Sequence, residues 1–483
     1  RRYMRNYDVA IIGAGVTGCA VARHLSRFRL KIALIDAAED VAMGASRANS
    51  AIVHAGYDCE PGTNMARLNV RGNALFSQWC EHLDVPLMRT GSLVVAFSPE
   101  EEETLRDLLA RGQKNGVPDL ALISGEEARK MEPRLSEAVT QALYAPTAGI
   151  TCPFEFAIAC AENARANGAE WLLNHKVTGI RAEKDFLILE TTEESVAARR
   201  VVNAAGVYAD AIARLVGDDS FSIHPRKGEY LLLDRNALPL NTVLFQTPTK
   251  MGKGVLVSPT VHGNAYAGPT AVDIDDKEDT SVCQKSIDDL KRLSQKTVPG
   301  IDFRKTIRAF AGIRAQPSTK DFILGPSAQE PRMIHAAGIC SPGLSSAPAI
   351  AEEIAQVVLD SGLPAQENAS YTPIRRAIPR FAEMDDAQRE AIIAQNPLYA
   401  RVICRCCTVT QGEIVEAIHR GARDVDAVKR RTMAGMGRCQ GGFCAPRVME
   451  LLEKEAGIAP DALTKFGGSS HMIAGYTRGE ERA

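Results

Sequence analysis

Long apolar runs are missing from this chain: across 483 residues no stretch approaches the ~18 consecutive apolar positions of a membrane-spanning helix. The opening Arg1-Arg-Tyr-Met-Arg-Asn6 carries basic residues but no apolar segment behind them, so it does not read as a secretory leader. Neither sign of charge dominates. Lys and Arg total 57 against 59 Asp and Glu, which excludes both a nucleic-acid-binding balance and a disordered acidic composition. Low-complexity tracts and internal repeats are absent too, and the first residue is not Met, so Met4 or a residue upstream is the expected start. These absences lead us to expect a soluble, cytoplasmic protein with no transmembrane segment and no nucleic-acid partner. The length allows two or three domains at ~100 to 200 residues each.

What is present begins with Tyr7-Asp-Val-Ala-Ile-Ile-Gly-Ala-Gly-Val-Thr-Gly18, followed by Lys31-Ile-Ala-Leu-Ile-Asp36. Val9 to Ile12 is too short for a helix and too apolar for an exposed loop, and reads as a buried parallel strand. Gly13, Gly15 and Gly18 stand at G-x-G-x-x-G spacing, with Val16 and Thr17 opening a helix. The first glycine permits a tight turn, the second lets backbone approach a pyrophosphate, and the third lets helix pack on strand. Free N–H groups at the helix start favour an anion there. Asp36 closes the second strand, where a carboxylate can bond the hydroxyls of an adenosine ribose. Strand, glycine loop, helix, strand and terminal acid together predict a bound dinucleotide, either FAD or NAD.

Small and polar residues from Gly44 through Ala45, Ser46, Arg47 and Ser50 lead to a short apolar strand presenting His54. His54 can be either a hydrogen-bonded core histidine or a reacting group. Surface helices are expected over Asn69 to Leu83 and after Ser98 and Ser124, each serine followed at the third position by Glu as in a capping box. Cys152 to Asn167 reads as a further helix and Glu170 to Leu189 as strands. Arg200 to Asn203 is a buried strand running into Ala205 and Gly206. From Ile223 to Lys305, short apolar runs bounded by Gly, Pro and Asp predict an antiparallel sheet. Its turns carry Arg226, Lys227, Lys250 and Lys253, with His262 nearby. These are solvated loop charges unless a small anionic substrate turns one or two of them inward, since a buried phosphate or carboxylate must be paired. Gly312, Arg314 and Lys320 follow. An apolar strand, the turn Gly338 to Gly343, and a helix expected from Ala347 to Leu359 then aim a helix start, with Leu344 and Ser345, at a fixed spot. Residues 364–400 form a proline-bearing connector.

Of twelve cysteines, seven are scattered in the first 400 residues and five crowd between Cys404 and Cys444, a distribution that suits a metal site better than disulfides. Cys404-Arg-Cys406, 32 residues, and Cys439-Gln-Gly-Gly-Phe-Cys444 offer four thiols around short helices expected at Thr410 to Arg420, Asp424 to Arg431 and from Phe443. So few apolar residues suggest a module that needs its metal to fold. Four cysteines can hold zinc, although C-x-C with C-x4-C fits poorly the C-x(2–4)-C pairs of structural zinc sites. Cys407 reads as a bystander.

Gly-Ala-Ser-Arg-Ala-Asn-Ser50 and Ile-Val-His-Ala-Gly56 resemble the second flavin-contacting segment of the D-amino-acid-oxidase-like superfamily, in the branch of FAD-dependent glycerol-3-phosphate dehydrogenases and L-2-hydroxyglutarate dehydrogenases. The four cysteines resemble the ligands of the bacterioferritin-associated-ferredoxin-like [2Fe-2S] module. With Ala-Gly-Ile-Cys-Ser-Pro-Gly343, nearly the whole chain resembles the large-subunit family of anaerobic-type glycerol-3-phosphate dehydrogenases. The resemblance implies an α/β Rossmann-like FAD-binding domain (pieces near 5–80, 145–220 and 310–363) interleaved with an α+β substrate domain of antiparallel sheet (81–144 and 221–309). Residues 401–460 would form a small helical [2Fe-2S] domain, and 461–483 a tail. It implies FAD contacts at Gly13, Gly15, Val16, Thr17, Gly18, Asp36, Ala45, Ser46, Arg47, Ser50, Val177, Ala205, Gly206, Gly312, Gly338, Gly343, Leu344 and Ser345. The cluster would sit on Cys404, Cys406, Cys439 and Cys444. His54 and Arg314 would be catalytic, and Arg314, Lys320, Lys227, Lys253 and His262 would bind substrate. The implied activity is oxidation of sn-glycerol 3-phosphate, with electrons passing through the cluster to a partner, commonly a second flavoprotein in a hetero-oligomer. L-2-hydroxyglutarate and opine or amino-acid oxidation are the alternatives within the fold, and a redox-sensing protein is the alternative outside catalysis.

Overall fold

The computed structural model describes residues 4–248, 254–363 and 365–476. The chain forms two compact units, one running to Ala37 and from Val41 to Arg375, the other combining Ala38–Asp40 with the chain from Arg376 on.

In the first unit the strand Arg5–Ile12 lies parallel between Ile32–Ile35 and Val196–Asn203. Ile32–Ile35 is buried throughout, as expected of a strand covered on both faces. Glu170–Leu172 extends the sheet on one side. Leu187–Thr191 and Val177–Ala182 extend it antiparallel on the other. Met333–Ala337 returns parallel to the end of Val196–Asn203, and Ile323–Pro326 pairs with it. The helices Val16–Leu25, Pro153–Ala166 and Gly343–Asp360 share one apolar core with this sheet, including Val9, Ile11, Leu25, Phe156 and Ile350.

A second, nine-stranded sheet draws on both insertions, from Ser92–Ala96 and Gln141–Ala145 of the first to Ile223–Leu233 and Ala265–Gly268 of the second. The strand Thr306–Pro317 also belongs here, pairing antiparallel with Ile223–Leu233 along nearly its whole length. Residues 310–317, expected among the flavin-binding pieces, are therefore part of the substrate-side sheet. Gly312 nevertheless reaches the Ala45–Arg47 turn region, because a Cβ there would overlap the Ala48 carbonyl oxygen.

Two helices begin earlier than expected. The helix expected from Asn69 starts at Asn64, with the Thr63 hydroxyl accepting the Ala66 N–H at 3.1 Å. Ser98 caps its helix, but Glu101 bonds the Phe97 N–H rather than closing the box on Ser98, whereas Ser124 and Glu127 form the full reciprocal pair. The helix expected from Ala347 begins at Gly343, leaving Pro348 inside it.

The second unit contains a short hairpin, Val402–Cys404 with Val409–Thr410, and the helices Asp386–Gln395, Gln411–His419, Val425–Thr432 and Ala445–Ala456. Val409, Ile414, Ile418, Val428, Val448, Leu452 and Leu463 are buried together with Cys404, Cys407 and Cys444. This apolar core is larger than four thiols and two helices suggested, because the last helix and Leu463 close over it. Asp40 adds a buried ionic tie: Oδ1 accepts from Arg431 Nη2 at 2.7 Å, and Oδ2 accepts from Arg430 and Arg431 at 2.7 and 2.8 Å.

Candidate active site and metal centre

The glycine loop is shaped by the absence of side chains. Gly13 has φ +106° and a Cβ on it would overlap the Ala204 carbonyl; a Cβ on Gly18 would overlap the Gly13 carbonyl. The helix Val16–Leu25 starts at Gly15 without a side-chain cap of its own, and the Val16 N–H donates to Ser46 Oγ at 2.8 Å. Asp36 Oδ2 accepts the Ala14 N–H at 2.7 Å, which ties the carboxylate to the loop. The Asp36 backbone joins the neighbouring strand region through Leu172 and His175, with buried Val177 two residues further on. Ala205 and Gly206 follow the strand Val196–Asn203, Gly206 at φ +58°. A side-chain-free turn entering a helix start, with an acid at the next strand end, fits a dinucleotide pyrophosphate and ribose.

A second centre forms where the short strand Ile52–Val53 meets the antiparallel sheet. The His54 N–H donates to Ser345 Oγ at 2.7 Å, and its carbonyl accepts from Asn69 and Asn73 at 2.8 and 2.9 Å. The backbone on both sides of the imidazole is thereby held, with Phe245 5.9 Å from its ring. Ser345 lies in the first turn of the helix Gly343–Asp360, beside Leu344, and Gly338 turns the chain toward it at φ +65°. Tyr230 OH and Ser50 Oγ are 3.1 Å apart, and Tyr266 OH donates to the Ser50 carbonyl at 2.6 Å. Burial raises the pKa of the Tyr230 phenol, against the opposing pull of Arg314 and the Ser50 hydrogen bond. Arg314 Nη2 also donates to the Thr270 carbonyl at 2.9 Å.

Sheet register explains which cations reach this centre. Arg314 lies opposite Arg226, and its guanidinium covers Gly228, where a Cβ would collide with it. Tyr230, two residues beyond Gly228, shares that face. Lys227 points to the other face, where Asp279 holds its ammonium at 2.9 Å. His262 is bonded to Glu155 at 2.8 Å beside Cys152, and Lys320 is exposed in the turn after Pro317. Arg226 pairs with Asp273. Lys250 and Lys253 lie outside the described residues. The structure thus brings Arg314 to Tyr230 and Ser50, in the segment that leads to His54, whereas Lys227 and His262 are held by Asp279 and Glu155 and Lys320 is exposed. Tyr230 and Tyr266 are the additions that sequence reasoning missed. Their period-2 positions in short apolar runs were visible, but not which face met Ser50.

The cysteine module holds its thiols in two groups. Cys406 Sγ and Cys439 Sγ are 3.7 Å apart, on the outer side. Cys404 and Cys444 are 1% and 3% exposed, on the inner. The Cys404 pKa is lowered by hydrogen bonds from Cys407 and then Cys444, and that of Cys439 by the Phe443 N–H. A tetrahedral metal with ~2.3 Å bonds to thiolates would need every sulfur pair near ~3.8 Å. The Cys406–Cys439 pair meets that spacing. Among the described residues, however, no three of the module's thiols share the 4.8 Å neighbourhood that Cys152, Glu155 and His262 do. The Cys406–Cys439 pair together with the buried Cys404 and Cys444 offers four thiols, the donor set a [2Fe-2S] cluster requires.

A redox enzyme with a dinucleotide cradle and a thiolate-ligated cluster is the class these features define. Residues 8–357 match the FAD dependent oxidoreductase family, and 402–454 match the BFD-like [2Fe-2S] binding domain. Glycerol 3-phosphate dehydrogenase of Caloramator mitchellensis is 44% identical over 98% of this chain and 99% of its own length. The structure of FAD-bound L-alpha-glycerophosphate oxidase from Mycoplasma pneumoniae aligns with TM-score 0.73 and 31% identity, covering 77% of this chain and 99% of that one. L-2-hydroxyglutarate dehydrogenase of Arabidopsis thaliana is 31% identical over 73% of this chain and 83% of its own. The chain belongs to the FAD dependent oxidoreductase family, as an enzyme that uses FAD and carries a [2Fe-2S]-binding domain. No helix among the described residues is long and apolar enough to cross a membrane.

Proposed function

We propose that this protein oxidises sn-glycerol 3-phosphate to dihydroxyacetone phosphate and delivers the electrons to a partner protein, a second flavoprotein subunit in a hetero-oligomer. FAD supplies the hydride acceptor and the [2Fe-2S] cluster a one-electron exit. The observation that carries the reading is the placement of Arg314 against Tyr230, whose hydroxyl lies 3.1 Å from Ser50 in the segment that leads to His54. A planar guanidinium suits a phosphate dianion, which it can meet with two parallel hydrogen bonds.

Oxidation removes a hydride from C2 and a proton from its hydroxyl. His54, its backbone held by Ser345, Asn69 and Asn73, is the group we assign to take that proton. Ser345 and the start of its helix aim N–H groups and a positive dipole end at the site, where negative charge develops on reduction. Gly13, Gly15, Val16, Thr17, Gly18, Asp36, Val177, Ala205 and Gly206 would hold the adenosine and pyrophosphate. Ala45, Ser46, Arg47, Ser50, Gly312, Gly338, Gly343, Leu344 and Ser345 would face the ring end, and Cys404, Cys406, Cys439 and Cys444 the cluster. Support comes from the relatives: the dehydrogenase aligns over 98% of this chain, whereas the oxidase structure covers 77% of it. That contrast favours a protein acceptor over oxygen.

Anaerobic addition of glycerol 3-phosphate, L-2-hydroxyglutarate and amino acids in turn, followed by flavin absorbance, tests the assignment. Glycerol 3-phosphate is expected to bleach the flavin at the lowest concentration. Bleaching by L-2-hydroxyglutarate alone would replace this reading with the dicarboxylate one.

A further inference from the structure

The outer thiol pair of the C-terminal unit has neighbours that neither the glycine cradle nor the substrate centre uses. Cys406 is exposed and Cys439 half-buried, while the inner pair is closed off from solvent. Arg405 and Arg438 stand immediately before these two cysteines, both exposed. Because the two sulfurs are 3.7 Å apart, both arginines adjoin the same thiol pair along the chain. Phe443 is 86% exposed, and its N–H bonds the Cys439 sulfur, so an open aromatic side chain is attached next to that thiol. Aromatic side chains, Phe included, are enriched in protein interfaces. The helix Ala445–Ala456 begins right behind Cys444 and adds its positive dipole end.

The whole chain has a formal charge of only −2, so this basic edge is local and does not follow from overall composition. We infer that the Cys406–Cys439 edge, with Arg405, Arg438 and Phe443, is the docking surface for an acidic one-electron acceptor, the partner protein proposed above. The inference rests on the reading that electrons leave through the cysteine module, and it names where and to what kind of partner. One electron leaves this protein and one reduces the acceptor, with no proton or group exchanged. Arginines of one sign steer an acidic partner by long-range attraction and repel a basic one, and the exposed ring supplies the short-range contact. Exposure of one thiol pair keeps the path to the acceptor short, while the buried pair is shielded from solvent.

The test uses the holoprotein and an acidic plant-type ferredoxin as probe, with a basic c-type cytochrome as the contrary probe. Binding is titrated by fluorescence anisotropy at low and high salt. We expect the double variant R405E/R438E to raise the ferredoxin Kd at least tenfold at low salt and to flatten its salt dependence. F443A should raise Kd severalfold at every salt concentration. The iron-sulfur absorption of each variant checks that the module is intact; if charge reversal disturbs it, R405Q/R438Q replaces it, with a smaller but same-signed effect. Kd unchanged within twofold in R405E/R438E, or cytochrome binding as tight as ferredoxin, overturns the proposal. Flavin bleaching by glycerol 3-phosphate is followed separately in the same samples, so a wrong substrate and a wrong docking surface give different results.

Discussion

At Gly13 and Gly18 the N-terminal unit makes room by leaving side chains out, whereas between Cys404 and Cys444 the C-terminal unit closes in by bringing side chains together. The first arrangement depends on steric clearance against the Ala204 and Gly13 carbonyls, and the second on donor chemistry at metal-sharing distance. Their supports differ as well. The glycine loop stands on a parallel sheet within a large apolar core, while the thiol module adds to a small core the buried pairing of Asp40 with Arg430 and Arg431. A backbone cradle needs a rigid platform, because a shift of a fraction of an ångström fills it. A ligand cage tolerates a smaller scaffold, since bonds to the metal contribute to holding it.

The sharpest way to break the contrast is Gly13→Ala. The Cβ would strike Ala204 and the left-handed φ adds about 1–2 kcal/mol of strain, so purified protein should lack flavin absorbance altogether; retention of full FAD would refute the steric account. Cys439→Ser should act in the opposite compartment, removing the broad iron-sulfur absorption while leaving FAD content as in wild type. If both chromophores vanished together, the two sites would not be separable. Next comes Asp40→Asn, expected to weaken the C-terminal unit by about 3–5 kcal/mol at pH 7, because it strips the buried arginines of their partner.

The same pair predicts a pH effect. Burial pushes the Asp40 pKa up, but Arg431 and Arg430 overcome that and bring it down to about 2. A lowered carboxylate stabilises the fold above its unfolded value, near 4, and that contribution is lost as pH falls from about 4 to 2. Calorimetry of wild type and D40N across this range should show a steeper acid-dependent loss in wild type than in D40N, where only the other carboxylates titrate.

Within the N-terminal unit, Arg314→Gln should lower kcat/KM for glycerol 3-phosphate by roughly 10- to 100-fold, the worth of a charge-assisted bond of about 1.5–3 kcal/mol. FAD content should stay unchanged. The smallest expected effect is Lys227→Met. With its ammonium on the opposite face of the sheet and paired with Asp279, KM should stay within about twofold of wild type, as expected of a cation that makes no substrate contact. A tenfold rise would return Lys227 to the substrate site.

Much of the first site was legible because glycine spacing is itself the signal: only a residue without a Cβ fits where backbone meets backbone, and those positions are consecutive in the chain. The thiols were equally plain, since few residue types ligate soft metals and five of them crowd within about forty positions. Less legible were the helix starts at Asn64, capped by Thr63, and at Gly343, which has no side-chain cap to mark it.

Composition, the Gly13–Asp36 pattern and the Cys404–Cys444 spacing by themselves determined a dinucleotide unit, an antiparallel insertion and a metal module, because each is a local rule about which residues a short segment can tolerate. Tertiary structure alone decided that Thr306–Pro317 belongs to the substrate-side sheet, that Arg314 faces Tyr230 while Lys227 faces Asp279, and that one thiol pair is buried and the other exposed. Those outcomes depend on strand register and on which surfaces other segments cover. Both are set by pairings between residues tens to hundreds of positions apart, and no window of sequence contains them.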